Sequence, residues 1–161
     1  MPGQLEGQIA LVTGASRGIG AAVAEALAQA GAHVILTART SAGLEEVEER
    51  IHKAGGTATI APLDLTDPDS IGRLAQAIAG RWEKLDILVL NAAMLGTLAP
   101  VQHLDAKEFA QIFTLNVSAQ AALIAAFDAL LRKSGQARLI GITSSVGASP
   151  RAFWCAYGRS E

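Results

Sequence analysis

The sequence predicts an α/β fold, a doubly wound parallel sheet with helices on both faces. Two observations predict it. Short apolar segments alternate with longer amphipathic ones along the whole chain, the order expected of a βαβ series. Near the start, a strand-length apolar run leads through a glycine-rich stretch, Thr13 to Gly20 (T-G-A-S-R-G-I-G), into a segment at helical spacing. The chain has 161 residues, which fits a single domain spanning 1–161.

Taken in order, Ile9-Ala10-Leu11-Val12 is the first strand. Val23, Leu27 and Ala30 give the first helix its apolar stripe, and Gly31 ends it as the residue past the cap. Val34-Ile35-Leu36 is the second strand. Leu44, Val47 and Ile51 mark a short second helix closed by Gly55-Gly56, and 57–61 is a third, weaker strand. Asp67 before Pro68 is an N-cap followed by a favoured first helical residue, with Ile71, Leu74, Ala75, Ile78 and Trp82 behind it.

Ile87-Leu88-Val89-Leu90 is the fourth strand, apolar throughout as in a central strand buried on both faces. Asp105 with Glu108 three residues on has the form of a capping box. It opens one long helix, to about Leu131, with Phe109, Ile112, Phe113, Leu123, Phe127 and Leu130 on one side. Residues 139–143 form the fifth strand, and a further helix is expected from Tyr157. The count is thus about five strands, a doubly wound sheet incomplete on its C-terminal side.

The totals exclude several classes. Half the residues are hydrophobic and 17% are charged, so a real core forms rather than a disordered chain. A net charge of −2 gives no general attraction to nucleic acid or anionic membrane. No unbroken apolar run reaches the ~20 residues that span a bilayer, and no secretory signal is visible at the start. The single cysteine, Cys155, precludes an internal disulfide, fits a reducing cytoplasmic setting, and has no basic neighbour marking it as a nucleophile. His33, His52 and His103 are too scattered in sequence to suggest a metal site.

A strand, a glycine turn and a helix in that order form a phosphate cradle: the backbone approaches the anion closely and the helix's first N–H groups point at it. The glycines here are Gly14, Gly18 and Gly20, the TGxxxGxG spacing, and at this point the chain resembles the short-chain dehydrogenase/reductase family. The resemblance covers nearly all of the chain. It implies a Rossmann-like fold, a dinucleotide cofactor held by Gly14, Ser16, Arg17, Gly18, Ile19 and Gly20, and a missing C-terminal part bearing much of the substrate pocket.

The end of the second strand lies beside the adenine ribose, ~20 residues past the glycines. An acid there repels a 2′-phosphate. This chain has Ala38-Arg39, and Arg17 inside the turn adds a second guanidinium, which together suit the phosphate of NADP(H). The alternative is that both are solvated surface arginines. The resemblance also places Asp64-Leu65 near the adenine, although Asp64 also reads as a turn cap. Asn91 stands in Leu90-Asn91-Ala92-Ala93, where the family has Asn-Asn-Ala-Gly, and it also reads as a plain turn residue.

Reducing a carbonyl creates an alkoxide that needs a proton, and a tyrosine phenol, pKa ~10 unperturbed, supplies it when its pKa is brought nearer neutrality. Ser144 and, thirteen residues later, Tyr157 match the family's pair: Ser144 orients the substrate oxygen and Tyr157 is the acid/base. Ser145 is the alternative serine. Asn116, inside the long helix's apolar stripe, matches the asparagine that holds a relay water; a helix–helix hydrogen bond is the other reading. The family's lysine, four residues after the tyrosine, is Glu161 here. A carboxylate there disfavours the phenolate.

The resemblance implies an NADP(H)-dependent oxidoreductase acting on a small carbonyl or secondary alcohol. The alternatives are a dinucleotide-binding pseudoenzyme, motivated by Glu161, and a nucleotide-sugar epimerase or dehydratase. It also implies a homo-oligomer, dimer or tetramer, paired through the long helix.

Overall fold

The computed structural model describes residues 3–161. Five strands, β1 (Ile9–Thr13), β2 (His33–Thr37), β3 (Thr57–Ile60), β4 (Ile87–Leu90) and β5 (Arg138–Gly141), form one parallel sheet in the order β3-β2-β1-β4-β5. The helices are α1 (Gly18–Gln29), α2 (Ser41–Lys53), α3 (Pro68–Ala79), α4 (Ala106–Phe113), α5 (Ala119–Ser134), α6 (Ser145–Ala148) and α7 (Cys155–Ser160). The winding direction reverses between β1 and β4, and the crevice beyond the C-terminal ends of those strands is where such sheets bind ligands.

The period-two alternation of the strands sorts the core into two layers. Ala10, Val12, Val34, Leu36, Ile87 and Val89 pack with α1 and α2 through Ala24, Leu44, Val47 and Ile51. Leu11, Ile35, Leu88 and Leu90 pack with α3 and α5 through Ile71, Ile78, Leu123 and Phe127. The sheet is therefore doubly wound, as its apolar central strands require.

Four local expectations are corrected. In α1 the buried residues are Gly20, Ala21, Ala24 and Ala28, while Val23 and Leu27 are only half-buried. Small side chains let this helix lie close to the sheet behind the glycine turn, and the larger ones pack at its flank. The capping box is half closed: Asp105 Oδ1 accepts from the Glu108 amide at 2.7 Å, but the Glu108 carboxylate takes the Thr97 hydroxyl at 3.1 Å instead.

The long helix is interrupted by a π segment, Thr114–Ser118, between α4 and α5. The fifth strand ends at Gly141 rather than Thr143, and all four of its residues are exposed. Elsewhere the caps hold: Gly31 takes φ +103° past α1, and Asp67 accepts from the Asp69 amide at 3.1 Å ahead of Pro68.

The helical stretch Ala106–Ser134 is long and apolar enough to cross a membrane by length and composition. The expectation of no such segment looked for an unbroken run, and scattered polar residues hide the average. In this fold its apolar side, with Leu123, Phe127 and Leu130 buried, packs on the sheet and α3.

At the opposite end of the sheet from the crevice, buried Asp86 accepts from the Ile9 amide (2.9 Å), Lys84 (2.8 Å) and Ser134 (2.5 Å). Burial alone would push its carboxyl up, but these bonds outweigh it and the pKa is lowered. The carboxylate thus ties β1, β4 and α5 together.

Candidate functional site

The glycine turn sits at the C-terminal end of β1, and its conformation demands glycine. Gly14 and Gly18 take φ +64° and +57°, in the left-handed region. A Cβ on Gly20 would collide with the Gly14 carbonyl and the Asn91 side-chain amide. The Arg17 side chain makes no capping bond at the start of α1, and the first turn carries no acid, so its early N–H groups stay available to an anion.

The turn is braced from β4. The buried Thr13 hydroxyl donates to the Val89 carbonyl (3.2 Å) and accepts from the amides of Asn91 (2.9 Å) and Ala92 (3.0 Å). Asn91 Nδ2 in turn donates to the carbonyls of Thr13 (2.9 Å) and Gly14 (3.2 Å). The side chain of Asn91 therefore holds the shape of the cradle. The sequence reading placed Thr13 at the start of the motif but gave it no role, although a polar residue closing an apolar strand was a visible signal.

Arg17 and Arg39 are both exposed, and neither forms a salt bridge among the described residues. Ser16 is half-buried and Ile19 is 61% exposed at the start of α1. Asp64 Oδ1 closes a turn onto Thr66, accepting from its amide (2.9 Å) and hydroxyl (2.7 Å). Those two bonds, with a smaller contribution from the Arg39 charge, hold its carboxyl below the usual range. Leu65 is buried in the α3–α5 layer, which leaves its main chain as the part able to meet a ligand.

The second group lies past β5. Ser144 caps the short α6, its hydroxyl accepting from the Val146 amide at 3.4 Å. A Cβ on Gly158 would lie 3.1 Å from the Val146 carbonyl, and one on Gly147 3.2 Å from the Glu161 Cβ. Glycine at these two places lets α6 and α7 pack closely, which brings Ser144 to Tyr157. Ser145 is exposed as the first residue of α6. The helix carrying Tyr157 begins at Cys155, two residues earlier than expected, and Cys155 is half-buried.

Burial raises the Tyr157 pKa above its ordinary value. The charge of the nearby Glu161 carboxylate pushes the same way, and only the Ser144 hydroxyl pulls it down. The Trp154 ring lies 6.0 Å from that of Tyr157, tilted by 58°. Phe153 takes φ +69°, a strained conformation for an aromatic residue, and its carbonyl accepts from the Ala99 amide at 3.2 Å.

Asn116 sits in the π segment and is buried. Its Oδ1 accepts from the Met94 amide (2.9 Å), and its Nδ2 donates to the Met94 carbonyl (3.1 Å) and to Ser160 Oγ (2.9 Å). Both side-chain N–H groups are thus engaged within the protein. One turn on, Gln120 Nε2 donates to the carbonyls of Ala92 (2.8 Å) and Leu115 (3.1 Å). The two amides clamp the loop leaving β4. Gln120 and Ser160 were missed by sequence reasoning; Gln120 had a signal, lying four residues from Asn116 on the same helix face.

The structure so places two groups at one end of the sheet: the braced glycine turn with Asn91, and the corner joining Ser144, Tyr157, Ser160 and Asn116. Against known proteins, the profile described as short chain dehydrogenase matches residues 8–160. An uncharacterized oxidoreductase of Mycobacterium tuberculosis is 38% identical over 160 residues, covering 98% of this chain. This chain spans 60% of that relative's length. Among solved structures, a metagenomic short-chain oxidoreductase in complex with NADP superposes with a TM-score of 0.93 at 37% identity, covering 97% of this chain and 71% of its own. An NAD+-bound xylitol dehydrogenase superposes with a TM-score of 0.92 at 28% identity, covering 98% of this chain and 60% of its own.

Proposed function

Because the chain belongs to the short-chain dehydrogenase family, we propose that its protein is an oxidoreductase moving hydride between NADP(H) and a small carbonyl or secondary alcohol. Residues 1–161 would be its dinucleotide-binding unit. The observation that carries the cofactor half is the glycine turn: a Cβ at Gly14 or Gly20 would run into Asn91 or its neighbours, so the turn closes up tightly on β4, while Gly18, at the start of α1, faces open space. Free helix-end donors and the absence of an acid in the first turn fit a pyrophosphate there.

Gly14, Ser16, Arg17, Gly18, Ile19 and Gly20 would hold that pyrophosphate and its neighbours, with Asn91, Asp64 and Leu65 along the crevice. Arg39 and Arg17, exposed and without salt bridges among the described residues, suit the additional phosphate that separates NADP(H) from NAD(H). Two nicotinamide cofactors appear among the structural neighbours, so the preference rests on these arginines. When bound, the cofactor supplies or accepts the hydride.

The chain's own residues handle the oxygen and the proton. Ser144 would hold the substrate oxygen, and Tyr157 would give its phenolic proton to the developing alkoxide. Asn116 would keep the surrounding loop and helix in register, since both its amide N–H groups are engaged internally. Glu161 opposes phenolate formation, so the reduction direction, which needs a protonated tyrosine, suits this corner better than alcohol oxidation.

The outer face of the π segment and α5, with Val117 43% and Ile124 39% exposed, is where we place the expected self-association. The test of the whole reading is turnover. Full-length protein given NADPH and a panel of small ketones and aldehydes should consume the cofactor, and Tyr157→Phe should abolish it. Consumption that survives Tyr157→Phe would refute the role given to the phenol.

A further inference from the structure

We propose that Ser160 is a positioning residue, whose hydroxyl fixes the Asn116 amide and locks it to the helix that carries Tyr157. Ser160 is buried, at 7% exposure, so water does not readily replace it. Its hydroxyl has one proton, which it donates to the Tyr157 carbonyl at 2.8 Å. A lone pair on the same oxygen accepts from Asn116 Nδ2 at 2.9 Å. The proton order is therefore directional, from Asn116 through Ser160 to the main chain of Tyr157.

Met94 fixes the other side of the amide. Its N–H meets Oδ1 and its carbonyl meets Nδ2, so turning the amide over would set oxygen against oxygen. One hydroxyl thus joins three elements: the loop leaving β4, the π segment and α7. The last of these carries Tyr157. Its placement depends on such tertiary bonds and on the close α6–α7 contact at Gly158. Where α7 sits decides how the Tyr157 phenol meets Ser144.

For its kinetic half this inference rests on the oxidoreductase reading; its structural half does not. The test uses full-length protein with Ser160→Thr and Ser160→Val, which match in shape and differ in the hydroxyl. Two readouts are taken: kcat and KM with NADPH and a reactive ketone, and the exchange protection of the Asn116 side-chain amide protons by NMR. Ser160→Val should lower kcat about ten- to a hundredfold with KM for NADPH unchanged, and should expose one Asn116 proton to exchange. Ser160→Thr should restore both.

Equal kcat for the two variants, with Asn116 protected in each, would overturn the proposal. If the unmodified protein turns over no substrate, the oxidoreductase reading fails by itself. The Asn116 protons then decide alone: protection kept in Ser160→Val refutes the lock, and protection lost upholds it.

Discussion

The glycine turn and the Tyr157 corner stand at the same end of one sheet and are built in opposite ways. The turn is made of backbone, shaped by positive φ at Gly14 and Gly18 and braced by Thr13 and Asn91 from the neighbouring strand. The corner is made of side chains on α6 and α7, and its central phenol faces an opposing carboxylate. A cradle built from main-chain groups tolerates change in most of its side chains. A proton donor answers to every charge near it.

The sharpest way to break the contrast is at Gly20. Gly20→Val drives side-chain atoms into the Gly14 carbonyl and the Asn91 amide, so the turn must move. Overpacking of this kind costs about 1–3 kcal/mol or more, and NADPH binding should vanish together with a drop in thermal stability. Retained binding would show that the turn does not need its observed shape.

Next in size is the brace. Thr13→Val leaves the amides of Asn91 and Ala92 without their acceptor. Stranded buried donors cost about 2 kcal/mol, which for a chain of this size is a melting shift of roughly 4–8 °C. Calorimetry checks it.

The corner should instead respond to charge. Glu161→Lys removes the carboxylate that helps hold the Tyr157 pKa above its ordinary value and supplies a cation instead. The phenol should then titrate at lower pH in an absorbance titration while the fold stays intact. An unchanged titration would mean that burial alone sets it.

The smallest effect lies away from both regions. The His33 ring nitrogens pair with the hydroxyls of Thr57 and Thr59, both at 2.9 Å, and its pKa is lowered by burial, then by the charges of Arg81 and His52. Folded His33 holds its proton less readily than the unfolded chain does. Its contribution is complete above the unfolded pKa, near 6.5, and declines as pH falls through the lowered value. A His33→Gln variant should show a flatter loss of stability over that interval in denaturant melts.

The same contrast explains what the sequence made legible. Alternation of apolar and amphipathic segments identified all five strands, and burial on both faces explains the continuous apolar run of 87–90, whereas β5 was readable from its sequence although its residues are exposed. The cradle was readable because glycine is required wherever backbone must turn or close up. The π segment left no mark, since its residues Thr114 to Ser118 have the helical spacing of their neighbours and only the ladder of bonds shifts. Ser160 looked like any serine on a helix, and its role emerges only when α7 meets Asn116. The α1 stripe was misjudged because size was taken for burial, whereas alanine and glycine make the closest approach.

The most direct test is a paired fluorescence titration of the protein with NADPH and NADH, repeated on Arg39→Asp. The account predicts that NADPH binds at least about tenfold more tightly, the size of one charge-assisted contact, and that Arg39→Asp erases or reverses the preference. Equal affinities in the unmodified protein, or a preference indifferent to Arg39, would contradict it.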